Sequence, residues 1–255
     1  MSMLQRRTDL PTIEILGINF SATTQAQLVA TVDQRLRDGQ GTFVVTANPE
    51  IVMYARAHPE YAKLLATQPD EITADGVGIL LGGKILHTPL PERVTGYDLM
   101  LVLLQQANQA HRRVYLIGAK AAVVAASAAR VRRDYPNLEL VGTHDGYFDL
   151  SDAKVAQAVI DARPDYVFAA LGFPKQEYFL SAIRPKLPHA FLMGVGGSFD
   201  VLAGVVARAP GRVQQLRLEW LYRLIKQPSR FGRMLQLPKF VLAVRREARQ
   251  RGKID

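Results

Sequence analysis

Three polar clusters break the apolar stretches of this chain: Thr46-Ala47-Asn48-Pro49-Glu50, Thr73-Ala74-Asp75-Gly76-Val77-Gly78 and Arg93-Val94-Thr95-Gly96-Tyr97-Asp98. Asp75 stands out among them, a carboxylate set between an apolar run and two glycines, where a buried strand should end and a helix begin. Open α/β sheets carry their chemistry at such carboxyl ends of strands, where loops converge and backbone N–H groups are available. The same carboxylate would also serve as a plain helix N-cap, accepting hydrogen bonds from the first unpaired N–H groups.

Three further strand ends could meet a ligand, two of them an anion. Leu116-Ile117-Gly118-Ala119-Lys120 follows a strand and opens a helix, so its N–H groups can meet a phosphate at the positive end of the helix dipole. It has one glycine where the dinucleotide fingerprint has three, and a tight turn fits it as well. Leu171-Gly172-Phe173-Pro174-Lys175-Gln176-Glu177 sets Pro174 at a helix start, with Lys175 and Gln176 in the first turn. The dipole disfavours a lysine there; a bound anion would offset this, and a solvated lysine is the other reading. Gly194-Val195-Gly196-Gly197-Ser198-Phe199-Asp200 has little side-chain bulk and suits close approach by a ligand or by a packing helix. All three would line one edge of the sheet. The histidines at 58, 87, 111, 144 and 189 show no metal-ligand spacing, so no metal site is expected.

The elements that must hold these residues read as an α/β fold. Short β-branched and apolar runs alternate with longer helical patterns, which predicts a doubly wound, mostly parallel sheet. Strands are expected at 13–18, 43–46, 71–73, 113–117, 138–141, 166–170 and 190–193, and helices at 24–37, 50–66, 97–110, 121–134, 153–162 and 176–183. One α/β domain over 1–204 and a C-terminal appendage over 205–255 is the economical division.

The chain has 255 residues, enough to bury a substantial core. It has no cysteine, which excludes disulfides, thiolate metal sites and a cysteine nucleophile, and suits a reducing compartment. The first dozen residues lack an apolar signal region, and no apolar run approaches the ~18 residues of a bilayer span, so the chain is expected to stay in the cytoplasm. The net charge of +9 belongs to the tail: from Val201 on there are 13 Lys and Arg against 3 Asp and Glu, and before it 19 against 20. After Arg208-Ala209-Pro210 the tail reads as basic amphipathic helices, broken near Pro228 and Pro238. Such helices pack on their own domain, bind nucleic acid or lie on an anionic membrane surface.

Seven motifs taken in order carry a resemblance: T-A-N-P-E (46–50), A-D-G-V-G (74–78), P-E-R-V-T-G-Y-D-L (91–99), G-F-P-K-Q-E (172–177), G-V-G-G-S-F-D (194–200), R-A-P (208–210) and L-E-W-L-Y-R-L (218–224). Together they resemble the WecG/TagA/CpsF glycosyltransferase family over nearly the whole chain. The resemblance implies transfer of an N-acetylmannosamine-type sugar from a UDP donor to undecaprenyl-diphosphate-linked N-acetylglucosamine, with inversion and with neither metal nor other cofactor. The product would be the linkage unit of wall teichoic acid; an N-acetylmannosaminuronate donor for another surface polymer is the alternative.

By resemblance, Asp75 matches the proposed general base, which takes the proton of a poorly nucleophilic acceptor hydroxyl. Thr46 and Asn48 line the same pocket, Arg93 and Gln176 assist substrate placement, and Asp200 matches a nucleotide-site residue. Arg223, Arg230 and Arg233 match tail arginines that hold diphosphate and would stabilise the leaving UDP. Gly118, Lys175 and Gly196 join them as candidate substrate contacts from the strand-end reading. The appendage is implied to cover the active site and to bring the enzyme to the inner face of the plasma membrane as a peripheral protein. A nucleic-acid partner is disfavoured, because Trp220, Tyr222, Phe231 and Phe240 interleave with aliphatic residues as in an amphipathic helix. A homo-oligomer is left open.

Overall fold

The computed structural model describes residues 10–207 and 236–252. The expected strand at 13–18 is instead a hairpin, β1 (Thr12–Ile15) and β2 (Ile18–Ser21), paired antiparallel. Its two-residue turn puts Leu16 at φ 52° and Gly17 at φ 80°, the left-handed pair that matches the twist of the flanking strands. Leucine seldom adopts that conformation. Tertiary contacts hold it there: Leu16 is buried, and its N–H donates to Glu247 at 3.1 Å.

The chain continues through α1 (Gln25–Arg37), β3 (Thr42–Ala47), α2 (Pro49–Ala57), α3 (Pro59–Thr67), β4 (Glu71–Ala74), α4 (Val77–Ile85) and α5 (Gly96–Gln109). Then come β5 (Arg113–Gly118), α6 (Ala121–Asp134), β6 (Glu139–His144), α7 (Ala153–Asp161), β7 (Tyr166–Ala170), α8 (Lys175–Ile183), β8 (Phe191–Gly194), α9 (Ser198–Leu202) and the C-terminal α10 (Gln236–Gln250). The expected helix at 50–66 divides into α2 and α3, because Pro59 has no N–H to continue the ladder and holds His58 extended at φ −131°, ψ 92°. Helix α4 begins just after Asp75, where the cluster at 73–78 predicts one; its glycines, which lower helix propensity and blur any periodicity, concealed its extent.

Six strands form one parallel sheet in the order β4-β3-β8-β7-β5-β6. Alternating side chains feed two cores, as the pleat requires. Val45, Leu192, Val167 and Ile117 face α2, α3 and α8; Val44, Met193, Phe168 and Leu116 face α1, α5, α6 and α9. At the amino ends of the strands, buried Asp70 accepts from Arg184 and from the Phe43 N–H, and buried Glu71 pairs with Arg35.

Helix α10 buries Phe240, Val244 and Ala248 in the first of these cores and turns Lys239, Arg245, Arg246 and Arg249 outward. It packs on α2 and α4, where glycines permit close approach: a Cβ on Gly82 would meet the Phe240 ring at 3.0 Å. Pro238 does not interrupt the helix here. It is the third residue of α10, and near a helix start a missing N–H costs little. Arg223, Arg230, Arg233, Pro228 and the 208–210 and 218–224 motifs lie outside the described residues.

Candidate active site

The carboxyl ends of the strands are level. Ala47 pairs with Ala74, Val45 and Ala169 with Gly194, and Gly118 with Ala170. Asn48, Asp75, Val195, Leu171 and Ala119 therefore leave the sheet along one edge. Neighbouring β3 and β8 send their chains to opposite faces, α2 into one core and α9 into the other. That divergence opens the crevice where doubly wound sheets take ligands.

Asp75 leaves β4 beside this crevice. Its side chain does not cap the helix that follows: Gly76, at φ 104°, holds the N-cap position of α4 without a side-chain cap bond. The carboxylate instead reaches across the chain, with Oδ2 at 3.5 Å from the Gly96 N–H at the start of α5. Gly96 also abuts Thr46, since a Cβ there would come within 3.0 Å of Thr46 Oγ1. Thr46, Asp75 and the N-terminus of α5 thus form one cluster drawn from three motifs. Thr95 caps α5 through the Asp98 N–H at 3.2 Å, leaving the positive end of the helix dipole directed at the carboxylate.

Arg93 is carried to the same place by its backbone. The Val94 N–H donates to Ala74 O at 3.0 Å, and Thr73 Oγ1 donates to Val94 O at 3.3 Å. Asn48 holds the local backbone together, because its Oδ1 accepts the Ile51 N–H at 3.0 Å and caps α2, with Pro49 in the first position.

The other half of the crevice is built by α8 and the β8–α9 loop. Gln176 is only 5 % exposed; its Oε1 accepts the Gly196 N–H at 3.0 Å, and its Nε2 donates to Glu177 at 2.8 Å. It lies on Gly194, where a Cβ would stand 2.4 Å from Nε2. Asp200 sits in α9 a few residues beyond, and its carbonyl accepts the Val206 N–H at 3.0 Å. Lys175 is exposed at the start of α8.

Gly118 stands farther off. Four strand spacings of ~4.8 Å separate β4 from β5, about 19 Å in all. Gly118, at φ 122°, lies against β7, where a Cβ would meet Ala170 at 2.4 Å, and the Ala119 N–H is bonded to Ala170 O. The tight turn thus has its own packing reason.

One residue in the site escaped the sequence reading. Glu177 is fully buried, and Oε2 has no hydrogen bond among the described residues. Burial raises its carboxyl to about 7, against the opposing pull of Gln176, its own backbone N–H and Tyr61. A glutamate in the first turn of a helix normally reads as a solvated dipole partner, so nothing in its spacing announced this burial.

Comparison with known sequences places the chain. The pattern described as "Glycosyl transferase WecG/TagA/CpsF family" matches residues 13–254. An N-acetylglucosaminyldiphosphoundecaprenol N-acetyl-beta-D-mannosaminyltransferase of Bacillus spizizenii (strain ATCC 23059 / NRRL B-14472 / W23) is 43% identical over 218 residues, covering 86% of this chain and 84% of its own. A protein of the same name from Staphylococcus aureus (strain MW2) is 36% identical over 249 residues, covering 97% of each chain. With the match running from β1 through α10, the chain belongs to the WecG/TagA/CpsF family of glycosyl transferases.

Proposed function

We propose that this protein transfers N-acetylmannosamine from UDP-N-acetylmannosamine to undecaprenyl-diphosphate-linked N-acetylglucosamine, with inversion, in wall teichoic acid linkage-unit synthesis. The observation that carries the mechanism is the Asp75 carboxylate at the end of β4, grouped with Thr46 and the start of α5, in a chain 36–43% identical to relatives bearing that activity in their names. Asp75 is the general base: it takes the proton of the acceptor hydroxyl as that oxygen attacks the anomeric carbon from the face opposite UDP. Thr46 and Arg93 hold the acceptor beside it. Gln176, through Gly196, shapes the β8–α9 loop that with Asp200 receives the nucleotide. Asn48, Lys175 and Gly118 complete the lining of the edge.

Departure of UDP leaves two phosphates' worth of negative charge to be met. Arg223, Arg230 and Arg233 supply fixed positive charge for it. They belong to the segment between α9 and α10, and both described flanks of that segment stand at the crevice: Val206 is bonded to Asp200, and Leu237 lies against Gly78, where a Cβ would come within 2.6 Å of it. Among the described residues no helix is long and apolar enough to cross a membrane. The outward Lys239, Arg245, Arg246 and Arg249 of α10 suit an anionic bilayer surface, where the lipid-linked acceptor resides.

The decisive assay gives purified protein UDP-N-acetylmannosamine and a lipid-diphosphate N-acetylglucosamine acceptor in EDTA, and measures UDP release. Acceptor-dependent release is expected. Its absence, or faster release from UDP-N-acetylmannosaminuronate, would overturn the donor assignment.

A further inference from the structure

Two loops of the crevice are joined through a single amide. Gly196 presents an N–H to Gln176, so Gln176 must offer its oxygen there; the Nε2 at the other end then donates to Glu177. The side chain packs directly on Gly194, where a Cβ would stand 2.6 Å from its Cδ. What keeps the amide from turning over is therefore the chemistry of Glu177: a carboxylate only accepts, and demands the NH₂ end.

Glu177 differs from the other buried acids near the sheet. Asp70 has Arg184 and Glu71 has Arg35. Among the described residues, the groups acting on Glu177 are Gln176 and its own N–H on α8 and Tyr61 on α3, with no cation among them; Tyr61 in turn feels Tyr54 on α2 and Tyr178 on α8. Burying an acid without a counter-charge is costly, and core packing alone would favour an apolar side chain.

We propose that Glu177 is a positioning residue, whose carboxylate orients the Gln176 amide so that it anchors Gly196 and shapes the Gly194–Asp200 loop for the nucleotide. The consequence for donor binding rests on the reading of that loop as part of the nucleotide site. Protonation removes that demand: a neutral Glu177 can turn either a carbonyl oxygen or an O–H toward Gln176, so the amide can take either orientation, and where it inverts the Gly196 N–H faces an NH₂ group and loses its anchor. Because the carboxyl titrates at about 7, donor affinity falls as pH drops through neutrality.

The test uses the full chain, with UDP as probe, at pH 6 and pH 8, for the wild type, Glu177→Gln and Glu177→Leu. Glycine-selective ¹⁵N spectra without ligand follow Gly196 directly. In the wild type the Gly196 amide should titrate near neutrality, and the UDP Kd should weaken about tenfold at pH 6, where roughly a tenth of Glu177 is ionised. Glu177→Gln carries no titrating proton at this position, so Gly196 should not titrate. Its Kd should change between the two pH values only by UDP's own protonation, which is common to all three proteins. Glu177→Leu should bind weakly at both. A Gly196 titration, or a pH dependence of Kd, that is the same in the wild type and Glu177→Gln overturns the proposal. Failure of the wild type to bind UDP at all would overturn the nucleotide-site reading instead, while the Gly196 titration would still judge the positioning contact.

Discussion

Glu177→Gln should stabilise the protein relative to the wild type by an amount that grows with pH, and the size of the effect follows from one burial. In the folded protein the Glu177 carboxyl keeps its proton up to about 7, while an ordinary exposed glutamate releases it near 4.5. Between those values the native state binds more protons than the unfolded chain, so this group's contribution to stability falls as pH rises. It is fully present below 4.5 and gone above 7. The whole shift is worth about 3 kcal/mol, most of which is lost between pH 5 and pH 8. Glutamine has no such pH dependence. Urea unfolding of both proteins at both pH values isolates it, since every other titrating group cancels in the double difference. The stability of the variant relative to the wild type should rise by about 2 to 3 kcal/mol from pH 5 to pH 8, a Tm difference on the order of 5 to 10 °C for a domain of this size. A difference that stays constant, or shrinks as pH rises, would show that Glu177 is not held as a neutral acid and would remove the basis for its titration near neutrality.

Asp75→Asn should lower kcat by about 10²- to 10⁴-fold while UDP affinity stays within about threefold, measured by turnover and calorimetry; undiminished turnover would strip Asp75 of the base role. Gly194→Ala sets a methyl 2.4 Å from Gln176 Nε2 and must displace a buried side chain, so KM for the donor should rise at least about tenfold; an unchanged KM would show that Gln176 does not govern the loop. Phe240→Ala empties the seat of α10 and should cost about 3 to 5 kcal/mol in chemical unfolding, with new protease sensitivity at the C-terminus; a loss below about 1 kcal/mol would mean that α10 is not integral to the core.

The parts of the fold that were legible are those where local pattern and tertiary demand agree. The strand at 166–170 emerges with its expected bounds because it is buried on both faces and reads as a continuous apolar run. The helix at 121–134 does too, since it runs uninterrupted from a strand end to an acidic terminus. Where a distant residue decides, reading fails: the Leu16 turn depends on Glu247, and Gly78 and Gly82 of α4 are accounted for by Pro49, Leu237 and Phe240. The site divides the same way. Asp75 was visible as a strand-end carboxylate, but whether it capped α4 or faced α5 required Gly76 and Gly96 to be placed in space. Glu177 was printed in a motif and still went unseen, because burial is a property of the assembled layers.

The bond from Leu16 to Glu247 joins positions 231 apart in sequence, and it has a consequence for how the molecule comes into being. Domains emerge from the ribosome amino end first, so the opening hairpin is made long before the helix that secures its turn. That turn waits, unsecured, until α10 has been made. The basic surface of α10 is presented only when Phe240 and Val244 close the core, so a prematurely terminated chain lacks both its last packing layer and that surface. Docking of α10 and display of its basic face are therefore one event.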